Sequence, residues 1–261
     1  MATTTWKQVV QDSAEAYRTL TETTDKVKIK DLPTLISEYK SYPYYPNGTE
    51  WTQSNITSND FSCIYNANGL WVVGGINKGL WYSLDGKTWT QSNITTSDFD
   101  DIYNANGIWV ASGYNGIYYS LDGKTWTQSN ITSGNVDHLC YGNGLWVAAC
   151  WCTAGDGLPL YYSTDGKTWT QSNITSGSFN DVCYANGIWV APTNINIPNG
   201  IYYSTNGKTW YKSNITSDSF GVYYANGIWV ADNSSKGLYY STDGKTWTQS
   251  NITSIRSGNI C

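Results

Sequence analysis

The sequence predicts an all-β chain made by tandem duplication of one short unit, and three observations carry that expectation. The string WTQSNIT or a close variant begins at Trp51, Trp89, Trp126, Trp169, Trp210 and Trp247, with spacings of 38, 37, 43, 41 and 37 residues. Between successive anchors the order repeats: an F-x-x-I-Y-like run, the turn A-N-G, the run I-W-V-A, a variable loop, then G-I-Y-Y-S and D-G-K-T-W-T. The composition is skewed as copying would skew it, with 14 Trp and 22 Tyr against one Met and one His. Four β-rich runs in a unit of about 40 residues, with no helical pattern between copies, describe the blades of a β-propeller, each hiding its faces against its neighbours.

Residues 1–41 stand outside the repeat and read as a short α-helical segment. Thr5 is placed to cap a helix in which Trp6, Val10, Ser13, Tyr17 and Leu20 fall on one stripe. Such a stripe serves either self-association, giving a homo-oligomer, or packing on the repeat domain. After Thr23-Thr24-Asp25 comes the alternating run Lys26 to Lys30, and Asp31-Leu32-Pro33 opens a second short helix with Leu35, Ile36 and Tyr39. The expected division is therefore an attachment or oligomerisation segment, 1–41, and a propeller, 42–261.

Within the repeat, residues such as Ile108, Trp109 and Val110 supply β-branched and aromatic bulk, while Ala105-Asn106-Gly107 and Asp122-Gly123 supply hairpin turns that tolerate positive φ. Five units are complete. Residues 42–55 read as an outer hairpin, with Asn47-Gly48 in place of Asp-Gly, and residues 254–261 align with the first strand of another unit. A six-bladed ring closed by both termini is favoured over a five-bladed ring with spare ends, and a chain shortened at its C-terminus stays open.

The segment S-x-D-G-K-T-W, from Ser83, Ser120, Ser163 and Ser241, resembles the Asp box of sialidase-like propellers, one residue shorter than its commonest form. The resemblance covers residues 42–261. It implies a structural hairpin between the two outer strands, with Asp85, Asp122, Asp165 and Asp243 accepting turn N–H bonds and Asn206 doing the same in the fourth copy. The stretch from Ala14 to Tyr39, AEAYRTLTETTDKVKIKDLPTLISEY, resembles a module of tail and other structural proteins of phages and prophages of Gram-positive bacteria. That resemblance implies a virion tail protein made in the bacterial cytoplasm and joined to other tail proteins through residues 1–41. It fits the absence of a signal-peptide pattern at the N-terminus and makes the N-x-T strings at Asn55, Asn93, Asn130, Asn173, Asn214 and Asn251 by-products of the repeat.

Several functions are disfavoured by what the chain lacks. A sialidase clamps its substrate with three arginines and uses a Tyr nucleophile with a supporting Glu, yet beyond residue 50 there is no Glu and Arg256 is the single Arg. Photosystem assembly-factor propellers use an arginine patch that is missing for the same reason. A paired-carboxylate glycosidase would have to draw on two of Asp60, Asp98, Asp100, Asp101, Asp137, Asp156, Asp181, Asp218 and Asp232, most of them at strand starts where exposure is expected. His138 is the only histidine, aligns with Asp101 and Asp181, and reads as a surface residue. Cys140 and Cys183 read as small apolar residues and Cys150-x-Cys152 is a weak metal signal, so no metal or cofactor is expected. The net charge of −5 lies almost wholly beyond residue 41, against nucleic acid, and no apolar run reaches the roughly 20 residues that span a bilayer. The chain is expected to bind rather than to catalyse.

Divergence between copies points to the place. The A-N-G and D-G-K turns barely vary, whereas the loop between the second and third strands reads GGINKG, SGYNG, AACWCTAGDGLP, PTNINIPNG and DNSSKG. That loop leaves each blade at the end opposite the invariant turns, so diversity gathers on one face. The candidate ligand residues there are Asn77, Lys78, Tyr114, Asn115, Trp151, Asp156, Asn194, Asn196, Asn233 and Lys236. Flat rings among amides suit a cell-surface glycan, and suit a host surface protein as well. A structural spacer or decoration protein without ligand, and a lectin-like propeller outside a phage, are the alternatives.

Overall fold

The computed structural model describes residues 52–56, 60–151, 159–193, 200–216, 221–233 and 236–253. The expected helices of residues 1–41, the outer hairpin of residues 42–51 and the closing segment 254–261 lie outside the described residues, as do Asp156, Asn194 and Asn196. The described residues form five four-stranded antiparallel sheets, each with its strands in sequence order. Blade 1 comprises Phe61–Ala67, Leu70–Gly75, Gly79–Ser83 and Thr90–Gln91, and blade 2 Asp101–Ala105, Ile108–Gly113, Gly116–Ser120 and Thr127–Gln128. Blade 3 comprises Asn135–Gly142, Leu145–Trp151, Leu160–Ser163 and Thr170–Gln171. Blade 4 comprises Cys183–Ala185, Ile188–Pro192, Ile201–Ser204 and Tyr211–Lys212, and blade 5 Val222–Ala225, Ile228–Asn233, Gly237–Ser241 and Thr248–Gln249. First strands of successive blades lie against one another, so they form the centre and the two-residue fourth strands the rim.

Two turns set this geometry. Asn106 and Gly107 have φ of 51° and 75° between the paired residues Ala105 and Ile108. Two consecutive left-handed residues make the tight turn whose twist matches that of the flanking strands, which is why Asn-Gly recurs there. At the next turn the Asp122 carboxylate accepts hydrogen bonds from the backbone N–H groups of Lys124 and Thr125, both at 2.8 Å, and from the Ser120 hydroxyl at 2.9 Å. In blade 4 the Asn206 amide oxygen accepts the same two bonds from Lys208 and Thr209, at 2.9 and 2.8 Å. The turn thus needs an oxygen at this position rather than a charge.

Four kinds of contact join each blade to the next. Apolar clusters fill the interfaces: Leu70, Val72 and Leu80 of blade 1 pack with Ile102, Trp109 and Ala111 of blade 2, and the equivalent residues recur between the later pairs. The second-strand Trp meets an inner-strand Tyr of the preceding blade edge to face, Trp109 with Tyr65 at 6.1 Å and Trp146 with Tyr103 at 5.9 Å. At the rim, the Asn of five of the six N-I-T strings bonds the backbone of the following blade's Trp. Asn93 Nδ2 donates to Trp126 O at 2.9 Å while Trp126 N donates to Asn93 Oδ1 at 2.8 Å. Asn55 holds Trp89, Asn130 holds Trp169, Asn173 holds Trp210 and Asn214 holds Trp247 in the same two-bond manner. Finally, the D-G-K lysine sits over a third-strand Tyr of the preceding blade, as Lys124 does over Tyr82 at 5.5 Å.

Candidate binding face

The loops between second and third strands emerge where the first strands begin, because adjacent strands run antiparallel. Tyr114 and Trp151 stand 66% and 43% exposed at this end, and Asn77 and Lys236 are exposed beside them. Lys78 and Asn115 are half-buried and tied down: Lys78 O accepts from Trp81 Nε1 at 3.1 Å, and Asn115 Nδ2 donates to the Ser97 hydroxyl at 3.3 Å. Asn233 does not project as the sequence suggested. It is 1% exposed, and its Oδ1 accepts from the Lys236 backbone at 2.8 Å, so it shapes the loop rather than faces solvent.

Sequence reasoning missed the centre of the same end. Asp101, His138 and Asp181 occupy one column of the repeat in blades 2, 3 and 4, and adjacent inner strands bring them together. His138 Nδ1 lies 3.5 Å from Asp101 Oδ2 and 3.5 Å from Asp181 Oδ1. The flanking carboxylates are not the exposed strand-start residues expected, since only 21% of the Asp101 side chain and 16% of the Asp181 side chain are accessible. Each also bonds the following blade's first strand, Asp101 Oδ2 accepting from Leu139 N at 2.8 Å and Asp181 Oδ2 from Val222 N at 2.9 Å. Their convergence was readable from the shared column, had the column been followed to the axis.

The electrostatics follow from this crowding. Burial alone would push the His138 imidazole down, but Asp181 and then Asp101 outweigh it and hold it above its ordinary value. Burial, and next to it the charge of Asp100, push the Asp137 carboxyl up to about 7. Asp100 is raised by desolvation and by Asp98 and Asp101, and Asp101 is raised by burial against the pull of His138. Near neutral pH the centre therefore offers hydrogen-bond donors, from His138 and protonated Asp137, alongside carboxylate acceptors. Among the described residues, burial pushes the thiols of Cys63 and Cys140 up to about 12 and that of Cys183 to about 11, which makes these three poor nucleophiles. Among the described residues no group of three His, Cys, Asp or Glu side chains is arranged to hold a metal ion, and no helix is long and apolar enough to cross a membrane.

No protein-family model matches the chain, and no curated protein matches it by sequence. Solved structures do. An ancestral GH74 enzyme is similar with a TM-score of 0.60 at 14% identity, over 74% of this chain and 31% of that one. YCF48 bound to D1 peptide is similar with a TM-score of 0.56 at 16% identity, over 77% and 71% of the two chains. The WD40 β-propeller domain of Doa1 is similar with a TM-score of 0.55 at 9% identity, over 75% and 69%. The chain thus spans 31% of the length of the GH74 enzyme it matches, and at these identities the likeness is one of architecture alone. What the three share with this chain is the β-propeller fold.

Proposed function

We propose that the chain is a non-catalytic binding module that presents the variable-loop end of its blades to a host surface glycan, as a tail-associated protein of a phage or prophage joined to the particle through residues 1–41. The observation that carries the reading is the arrangement of that end: two exposed flat rings, Tyr114 and Trp151, on the loops of neighbouring blades, above a centre of mixed donors and acceptors around His138. A sugar ring stacks its apolar face on an aromatic ring and satisfies its hydroxyls with carboxylates, amides and imidazole. The invariant turns at the other end are saturated by their own backbone and offer little to a ligand.

The test is binding of the purified chain to host cells and to their isolated cell-wall glycans, repeated with Tyr114→Ala and Trp151→Ala combined. Loss of both stacking surfaces is expected to be read as an at least roughly tenfold weaker Kd for the double variant. Unchanged binding would remove this face from the function. Absence of binding by the parent chain would leave a spacer or decoration protein. Release of reducing ends from the glycan would instead make the chain a hydrolase and single out Asp137, whose raised carboxyl has the character of a general acid.

A further inference from the structure

The face that each blade turns towards its predecessor is covered in blades 2 to 5. The apolar residue of its first strand is Ile102, Leu139, Val182 or Val222, 2%, 2%, 2% and 7% exposed. The opposite face of blades 1 to 4 is covered by the successor, whose lysine reaches over Tyr82, Tyr119, Tyr162 or Tyr203. In blade 5 that face is open: Tyr223, Tyr240 and Ile228 are 54%, 43% and 37% exposed. Ile252 is 45% exposed where its counterparts Ile131 and Ile215 are 9% and 6%.

The chain that continues from this edge has the repeat's spacing. In three copies the buried apolar residue of the first strand comes eight residues after the Ile of N-I-T, Ile94 to Ile102, Ile131 to Leu139 and Ile174 to Val182, and in blade 5 it comes seven after, Ile215 to Val222; in blade 1 Ile64 holds the eighth place and is 57% exposed. Eight residues after Ile252 stands Ile260, followed by Cys261 in the column of Cys140 and Cys183. The backbone that launches the segment is anchored as in the other blades, with Leu238 N donating to Ile252 O at 2.9 Å as Ile117 N does to Ile131 O at 3.0 Å.

We propose that residues 254–261 form the first strand of a further blade seated on the open face of blade 5, with Ile260 buried against the inner-strand column of Tyr223 and Val230.

Cys140 and Cys183 show what the seated strand would do, because they share a column in adjacent blades and, after burial, Cys183 is the next cause that raises Cys140. Tyr223 holds that column in blade 5, so Tyr223→Cys in the full chain places a thiol beside Cys261. Mild oxidation is expected to yield an intrachain disulfide to Cys261, identified by peptide mass, that is lost on adding Ile260→Asp and is not formed with Tyr240→Cys, two strands away. Equal cross-linking of both positions would mean a tail that samples the face without seating, and would overturn the proposal. So would no cross-link at all, or a disulfide between two chains, which would give the face to a second copy. In the unaltered chain, amides of residues 258–261 should exchange at least tenfold more slowly than in an unstructured peptide; exchange at the unstructured rate would equally sink the idea.

Discussion

At the rim, one primary amide reproduces the edge of a peptide group. Asn130 donates from Nδ2 to Trp169 O at 2.9 Å and accepts at Oδ1 from Trp169 N at 2.8 Å, so a backbone that no strand pairs is satisfied by a side chain from the previous blade. Aspartate lacks the donor and alanine lacks both groups. Asn130→Asp and Asn130→Ala should each lower the unfolding free energy by about 1–3 kcal/mol, measured by urea denaturation. Because both atoms of the amide are engaged, attachment of a glycan at these N-x-T strings would break the clamp, which gives the by-product reading of those motifs a structural reason. The turn aspartates behave differently. Asp85 is held down to about 2 by the N–H groups of Thr88 and Lys87, yet Asn206 does the same work uncharged. Asp165→Asn, which keeps the acceptor but loses the charge that the turn N–H groups favour, should lower the urea midpoint slightly at pH 7, while Asp165→Ala, which removes the acceptor as well, should lower it clearly.

The unit of construction is the four-stranded blade, and its turns differ in what they tolerate. Gly107 and Gly123 both have left-handed φ, 75° and 68°. A Cβ on Gly107 would meet nothing within 4 Å, whereas one on Gly123 would lie 2.5 Å from Leu70 Cδ2 of the preceding blade. Gly107→Ala should cost about 1 kcal/mol, the strain of a left-handed alanine, and Gly123→Ala about 1–3 kcal/mol more, because a packed core resists an added methyl. Thermal unfolding of the two variants separates strain from blade docking. This order of strands and turns was legible in the sequence because each turn carries a local chemical requirement, Asn-Gly or Asp-Gly, repeated at a fixed offset from a Trp. The exposed rings Tyr114 and Trp151 were legible for a related reason, since they break an otherwise uniform copy. Burial of Asn233 was not, because whether a loop side chain turns inward is decided by a single bond to the Lys236 backbone. The charged centre was written in the column shared by Asp101, His138 and Asp181, but its meaning depends on how closely inner strands of different blades converge, which no single copy states.

Across the whole molecule, two sets of acids pull stability in opposite directions as pH changes. The turn carboxylates at Asp85, Asp122, Asp165 and Asp243 have lowered values; at the last three, slight burial is outweighed by the backbone N–H bonds. Their contribution is complete above the unfolded value of 3.8 and is lost as pH falls towards about 2, so they govern acid unfolding. The axial groups do the reverse. Asp137, raised to about 7, binds a proton in the folded chain that it would not hold unfolded at pH 5. His138, raised by Asp181 and Asp101 against its burial, likewise contributes fully below the unfolded value of 6.5 and loses that contribution as pH climbs through its folded value. Folding therefore takes up protons between about pH 4 and pH 7, and stability should peak on the acid side of neutrality. Thermal unfolding is expected to give a higher Tm at pH 5 than at pH 8. In Asp137→Asn the difference should shrink, because the unpaired cost of ionising that carboxyl beside Asp100 is removed, and the variant should gain most at pH 8. In His138→Ala the Tm at pH 5 should fall more than at pH 8, since only the protonated imidazole offsets both Asp101 and Asp181. A Tm that rises steadily from pH 5 to pH 8 in the parent chain would show that the inner strands do not bring these side chains together as described. Ligand binding at the same end would then lose its pH dependence, whereas the converged arrangement predicts that a sugar hydroxyl accepting from Asp137 is held more tightly at pH 6 than at pH 8.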